Sequence, residues 1–520
     1  MRTVYFNRKS LFILLVVIGI SVLCIITLIN SDVNNIIFKP TTNDNSIFND
    51  KNPHLHPKDI LSHKIKISKG DNKQSLFVKG MMKHAWDGYK KYAWGANELN
   101  SIQKMASSQG IFGGTKMPAT IVDAADTLFI MDMMDEFKDA QDYIFNHYTI
   151  KDAVRSLSVF EMTIRFIGGF LSLYALTGND KYKIYAKELA DVLLVAFNSP
   201  SGLPYNIVVP TTNNTMNYNW VTNNAHILAD VGTLHLEFEY LSHITGNPIY
   251  RDKVVKTREI IENQKKVDNL YGLYLSKTDG HFVTKEVSLG AMGDSFYEYL
   301  LKEWIISKKE DTIAFDMYKK ASENIRKKMI IKSSGNFTYL VELKNGKLTN
   351  KMSHLSCFSV GMFALEAYYE TDEVKKNELL DVAEELGKTC YESYKKSEVG
   401  LGPEMFHFDS THDAISLTGE VQYYLRPEVI EGIYYLYKIT GKEMYREWNW
   451  DIAQKIEKWC RNDAGYQGIK NVYKPTYGFD GTQQSFFLAE TLKYLYLTFT
   501  DKIPLTEWVF NTEAHPLPLH

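Results

Sequence analysis

Cysteine is scarce, with four in 520 residues, at positions 24, 357, 390 and 460. Their spacing excludes a compact zinc motif. The body has no basic cluster and the net charge is −3, so nucleic acid is not the expected partner. Compositional breaks are lacking too, apart from one near residue 80, so one large domain is expected beyond it. No clear small-residue cleavage site follows the long apolar run near the N-terminus, which argues against a cleaved signal peptide.

Apolar residues make up 45% of the chain and charged residues 23%, enough for a large core. The 33 Tyr, 27 Phe and 8 Trp mostly fill that core, although sugar rings also stack on such faces. Residues 1–10 carry Arg2, Arg8 and Lys9, and residues 11–29 carry no charge. As a helix that run would span about 28 Å, close to a bilayer core. The reading is a cytoplasmic tail (1–10), an uncleaved transmembrane signal anchor (11–29), a flexible lumenal stem (30–79) and a body (80–520), in the type II orientation. A lumenal body permits disulfides, and its three cysteines leave one unpaired. The acceptor triplets Asn213-Asn214-Thr215 and Asn336-Phe337-Thr338 agree with that compartment.

The body repeats a pattern. Leu173–Tyr182, Leu241–Tyr250 and Leu436–Tyr445 each end an amphipathic run at Thr-Gly and begin another within a few residues. Gly supplies the left-handed C-cap, which makes each unit a helix hairpin. Units of roughly 60 residues give about seven hairpins, which close naturally into a toroid of inner and outer helices. In an open solenoid the repeats would resemble one another more than these do.

Acids recur at comparable places in that scheme. Glu161 precedes Arg165 by one turn in an apolar segment ending in Gly168-Gly169, which suggests close packing. Asp294 fits an N-cap, and Ser295 with Glu298 fits a capping box. Glu404 follows Gly402-Pro403 and Glu428 follows Arg426-Pro427, so each is expected near a helix start, where the dipole favours an acid. Glu431 lies one turn beyond Glu428, and Glu490 sits in an apolar run where a lone charge is costly. Together they suggest a shared acidic cavity. At the far end, Val509 and Phe510 favour a strand and Asn511-Thr512 a turn. By itself that stretch reads as a surface turn, although Thr512 and Glu513 offer the oxygen ligands that Ca²⁺ requires.

These residues carry a resemblance. His84-Ala85-Trp86 with Tyr92–Gly95, Val122-Asp123 with Asp126–Leu128, Ser158–Gly169, Gly293–Leu300, His354–Phe358, Leu425–Glu428, Ser485–Leu492 and Phe510–Pro516 resemble, in order, the class I α-1,2-mannosidases of glycoside hydrolase family 47. The resemblance spans roughly residues 80–518. It implies an all-α (α/α)7 barrel plugged by a C-terminal hairpin, and inverting hydrolysis of terminal mannose on high-mannose N-glycans. It assigns catalytic roles to Glu161 (acid, through a water), Asp294, Glu404 and Glu428 (base). Substrate contacts fall to Arg165, His354, Arg426, Glu431, Phe486 and Glu490. Ca²⁺ would be held directly by Thr512, and through water by Glu513 and Glu490. The family disulfide maps to Cys357–Cys390, leaving Cys460 free. Inversion needs carboxyl groups about 6.5–9.5 Å apart, to admit a water.

The chain departs from the family at Asn97, usually Asp, and at Ala124-Ala125, commonly Ser-Leu. Met292 is more informative. ER-type members carry Arg at this position and Golgi-type members an apolar residue, which cannot make directional contacts to branch sugars. The expectation is Golgi-type specificity at the Golgi membrane. Its rivals are an ER-type quality-control mannosidase, an inactive glycan-binding protein on the same fold, and a helical scaffold.

Overall fold

The computed structural model describes residues 70–520 except Gln109, Asn345 and Thr418. The expected tail, the anchor and most of the stem lie outside the described residues. Helix α1 (Lys73–Tyr92) starts earlier than the boundary expected at residue 80. Asn72 accepts from the Gln74 and Ser75 N–H groups, and Ser75 Oγ accepts from the Asn72 N–H, a reciprocal capping box. Leu76, Phe77 and Val78 are buried. By composition Asp71–Ser75 passes for stem; by capping pattern it is a helix start.

Six hairpins follow: α2 (Ala119–Ile130) with α3 (Met134–His147), α4 (Val159–Thr177) with α5 (Asp180–Leu193), and α6 (His235–Thr245) with α7 (Ile249–Glu262). Then come α8 (Asp294–Ile306) with α9 (Thr312–Lys328), α10 (Phe358–Tyr369) with α11 (Glu373–Lys395), and α12 (Glu428–Thr440) with α13 (Glu443–Cys460). The last inner helix, α14 (Leu492–Thr498), has no helix after it and packs on α1. The seventh pair is therefore made by the two ends of the body rather than by a hairpin. Inner helices such as α8 and α10 are buried nearly all round, whereas the outer α9 and α11 bury one face. Each inner helix touches the next, and the turn Phe487–Thr491 ahead of α14 touches α2. The ring closes as an (α/α)7 barrel. Helix α4 is apolar and long enough to cross a membrane, yet it is an inner wall of this ring.

The three Thr-Gly ends behave alike. Gly178, Gly246 and Gly441 have φ of 70°, 67° and 67°, the left-handed region that Gly enters without steric cost. Each Thr hydroxyl donates to the carbonyl four residues back, on Leu173, Leu241 and Leu436, and accepts the N–H two residues on.

The stretch around Thr512, which by itself reads as a surface turn, is the buried hairpin that the resemblance implies. Strands β1 (Trp508–Phe510) and β2 (Pro516–Pro518) pair antiparallel, and Phe510, Asn511, Ala514 and His515 are fully buried. The hairpin enters the ring and meets α2, α4, α6, α8, α12 and α14 through His515, Asn511, Thr512, Phe510 and the Ala514 carbonyl. Gly168 and Gly169 make room for it: a Cβ at Gly168 would stand 2.5 Å from Asn511 Nδ2. Cys357 and Cys390 form the disulfide that ties the start of α10 to α11, and Cys460 is buried and free.

Candidate active site

The site lies where the inner helices begin. Glu161 is in the first turn of α4, Asp294 opens α8, Glu428 opens α12, and Glu490 lies in the π-helical turn before α14. Exposed N–H groups and the helix dipole favour negative charge there. A second π-helical turn, Met162–Ile167, carries Arg165; such turns concentrate at functional sites. Short sheets deliver the remaining groups. Leu157–Ser158 leads into Glu161, and Lys351–Ser353 pairs with Met405–Phe408 between His354 and Glu404.

These elements enclose a cavity of about 490 Å³. Of the residues named from the sequence, Glu161, Arg165, Asp294, Glu428, Glu431 and Glu490 line it. So do Met292, Arg426, Phe486, Thr512 and Glu513. His354 and Glu404 stand behind the lining and act on it through neighbours. His354 Nδ1 bonds Glu428 Oε2 at 2.8 Å while its Nε2 meets Tyr394 Oη at 2.6 Å. Arg426 Nε donates to both Glu404 carboxylate oxygens, at 2.7 and 2.9 Å. Glu404 precedes a strand instead of starting a helix, because the segment pairs with Lys351–Ser353. The capping expectation around Asp294 also fails. Gly293 is the N-cap, the Ser295 N–H donates to Asp294 Oδ1, and Glu298 is paired with Lys302.

Arg165 organises one wall. Its Nε donates to Glu161 Oε2 at 2.7 Å, its Nη1 reaches Asp123 and Glu513, and its guanidinium lies 5.8 Å from the Phe486 ring centroid. Behind the floor, His515 Nδ1 contacts Asp126 Oδ2 at 2.7 Å. Lys493 Nζ bridges Asp126 (2.8 Å) and the Ala514 carbonyl (2.6 Å). This buried network fixes the hairpin, and with it Thr512.

Burial and mutual repulsion push several carboxyls upward. Asp294 rises to about 7, through burial and then the Glu298 and Glu428 charges. Burial also carries Asp230 to about 7, with Glu161 and Asp294 adding to it. Glu431 and Glu513 rise to about 8, chiefly through burial, and Glu490 well above its usual range. Glu428 goes the other way. Burial opposes its charge, but the His354 hydrogen bond and the His354 and Arg426 charges outweigh it and hold the pKa below the ordinary value.

Sequence reasoning missed Asp230, Tyr218 and Trp220, which also line the cavity. Asp230 sits in a short helix, Leu228–Gly232, whose irregular approach has no period to betray it. Asn97, standing where the family usually has Asp, donates to the Gly114 and Met117 carbonyls, a role that an ionised Asp cannot fill.

The donor set at the floor suits a hard cation. Thr512 opens into the cavity beside Glu490 and Glu513, an all-oxygen group whose buried carboxylates lack enough positive charge. Elsewhere His235, Glu303 and Asp311 bring ligand atoms within 4.8 Å of one another. By spacing they could hold a metal, but Arg258 Nη2 already lies 2.6 Å from Asp311.

The sequence profile described as glycosyl hydrolase family 47 matches residues 81–519. A mannosyl-oligosaccharide 1,2-alpha-mannosidase of Caenorhabditis elegans is 52% identical over 445 residues, 85% of this chain and 75% of that protein. The human mannosyl-oligosaccharide 1,2-alpha-mannosidase IB is 47% identical over 447 residues, 85% of this chain and 69% of that one. The solved structure of an alpha-1,2-mannosidase from Trichoderma reesei superposes with a TM-score of 0.78 at 25% identity, over 87% of this chain and all of that one. With its barrel, its plugging hairpin and its acid-lined cavity, this chain belongs to glycosyl hydrolase family 47.

Proposed function

We propose that the chain removes terminal α-1,2-linked mannose from high-mannose N-glycans by calcium-dependent exo-hydrolysis with inversion, as a type II protein of the Golgi membrane. The observation that carries this reading is the convergence of Glu161, Asp294 and Glu428 on one closed-ended cavity floored by Thr512. A cavity stopped by a hairpin accepts chain ends, which suits exo-cleavage.

Glu161, oriented by Arg165, serves as the acid that protonates the leaving oxygen through a water. Glu428 is the base, and its partners His354 and Arg426 keep it ionised despite burial, as activating water requires. Asp294, pushed to about 7, is the third carboxylate and can hold a proton near neutrality. Glu404 acts by orienting Arg426. Arg165, Glu431 and Phe486 position the terminal sugar. Thr512, with Glu513 and Glu490 through water, would hold Ca²⁺, which when bound supplies charge that orients sugar hydroxyls and favours ring distortion.

Met292 supports Golgi-type breadth. Its sulfur accepts a hydrogen bond from Tyr274 Oη, and it packs with Val221, Ala225 and Ile227, so this side chain offers branch sugars no directional charge. The test is a time course of the full chain on a labelled high-mannose N-glycan, with Ca²⁺ and with EDTA, resolving product isomers and the anomer released. Calcium-dependent loss of several mannoses, each released as the β-anomer, supports the proposal. A halt after one defined mannose indicates the ER-type reading, and binding without cleavage indicates a lectin.

A further inference from the structure

Two acceptor triplets play no part in the catalytic cavity. Asn213-Asn214-Thr215 and Asn336-Phe337-Thr338 are the only Asn-X-Ser/Thr triplets in the chain, and neither has the middle Pro that forbids modification.

The fold treats the two alike. Residues 210–213 turn between Ile207–Val209 and Asn214–Met216, and residues 333–336 turn between Ile330–Lys332 and Thr338–Leu340. The acceptor Asn closes each turn, with φ of 54° at Asn213 and 64° at Asn336, in the left-handed region that Asn enters more readily than most residues. Two residues on, Thr215 faces Val208 and Thr338 faces Lys332 in the paired strand. Both asparagines are exposed. Neither amide is held in a hydrogen bond among the described residues, whereas the amides of Asn97, Asn217 and Asn511 donate within the fold.

There is room for an added chain at each turn. Asn214–Met216 is the outer edge of its three-stranded sheet and Met216 is 40% exposed, so carbohydrate at Asn213 displaces no partner strand. At the other turn the neighbours do the anchoring. Ser334 Oγ donates to the Asp409 carbonyl, and Lys396 Nζ lies 5.0 Å from the Phe337 ring centroid, which leaves Asn336 in solvent. Both turns also share a face. Asn213 falls between the outer α5 and the inner α6, and Asn336 between the outer α9 and the inner α10. A link from an outer helix to the next inner helix sits at the end of the ring where inner helices begin, the end that holds Glu161, Asp294 and Glu428. The 207–216 hairpin extends the sheet of Leu157–Ser158, which leads into Glu161.

We infer that Asn213 and Asn336 are N-glycan attachment sites on the cavity face of the ring. This rests on the lumenal placement of the body in the proposed function, where a transferase and a diphosphate-linked oligosaccharide meet the chain. The transfer breaks the bond between the diphosphate and the anomeric carbon and forms a bond from that carbon to Asn Nδ2. The amide gives up one proton, and the diphosphate leaves with the bonding electrons.

The test expresses the full chain in eukaryotic cells and releases its N-glycans with an amidase that turns each carrier Asn into Asp. Peptide mass spectrometry is expected to find that conversion at both positions. Asn213→Gln and Thr215→Ala should each remove one glycan, and Asn336→Gln the other. Thr215→Ser, which keeps the acceptor triplet, should retain both. An unmodified Asn at either position, in a chain whose body is protected from protease in sealed membrane vesicles, would overturn the inference there. A body digested in intact vesicles would overturn the lumenal placement and the inference with it. Hydrolysis of a free high-mannose oligosaccharide by the same preparations tests the proposed activity separately.

Discussion

His354 shows how one neighbour sets the behaviour of an acid. Burial alone would raise Glu428, and His354 is the first of the groups that reverse it. His354→Ala should therefore raise the Glu428 pKa and move the acid limb of the kcat/KM profile to higher pH, at an activity cost of about 10²-fold near neutrality. A pH profile that falls uniformly without shifting would contradict this. Asp230 makes the opposite case. Its folded pKa, about 7, lies above the unfolded value near 4, so ionisation costs stability once pH passes 4, increasingly up to 7. Asp230→Asn should thus stabilise the protein by about 4 kcal/mol at pH 8 and by under about 1 kcal/mol at pH 4.5, with thermal unfolding at both pH values as the measurement.

At the level of elements, the C-terminal hairpin depends on one side chain. Asn511 Oδ1 accepts the Glu513 and His515 N–H groups, and its Nδ2 donates to the Ile164 carbonyl and to Glu237. Asn511→Ala leaves those buried groups unpaired, at about 3 kcal/mol. It should also weaken Ca²⁺ binding by releasing Thr512, which calorimetry with Ca²⁺ alone would register. A stability loss with unchanged Ca²⁺ affinity would separate the hairpin from the ion. The Cys357–Cys390 bond closes a loop with a sequence separation of 33, worth about 3–4 kcal/mol on the chain-entropy account. The double change Cys357→Ser with Cys390→Ser should lower the unfolding midpoint in urea accordingly.

For the whole molecule, ring closure is the controlling fact, because α1 completes the seventh pair with α14. Asn72 caps α1 and also donates to the Phe499 carbonyl at 2.7 Å, while Asp71 pairs with the buried Lys79 at 3.0 Å. A chain begun at residue 80 removes this closure, and one begun at residue 70 keeps it. The shorter chain should unfold at a temperature several degrees lower or accumulate as aggregate, and equal melting curves would show the closure to be dispensable.

The hairpin design was written in the sequence, since a left-handed Gly after a helix is a local requirement that any reader of Thr-Gly repeats can see. So were most of the cavity acids, because a charge in an apolar helical run or beside a helix start needs a reason. Other features are decided only by tertiary structure. The polar turn at Thr512 reads as surface until the ring encloses it, and nothing local tells Asn511 that its partners will be Ile164 and Glu237. Glu404 looks like a helix start until Lys351–Ser353 claims its neighbours for a strand. Nothing local sets Trp220 apart from the core aromatics, and only the fold leaves it exposed at the cavity. The division has a physical cause. Caps, turns and periodicity depend on neighbours a few residues away, whereas burial and electrostatic environment depend on groups hundreds of residues apart that only the closed ring brings together.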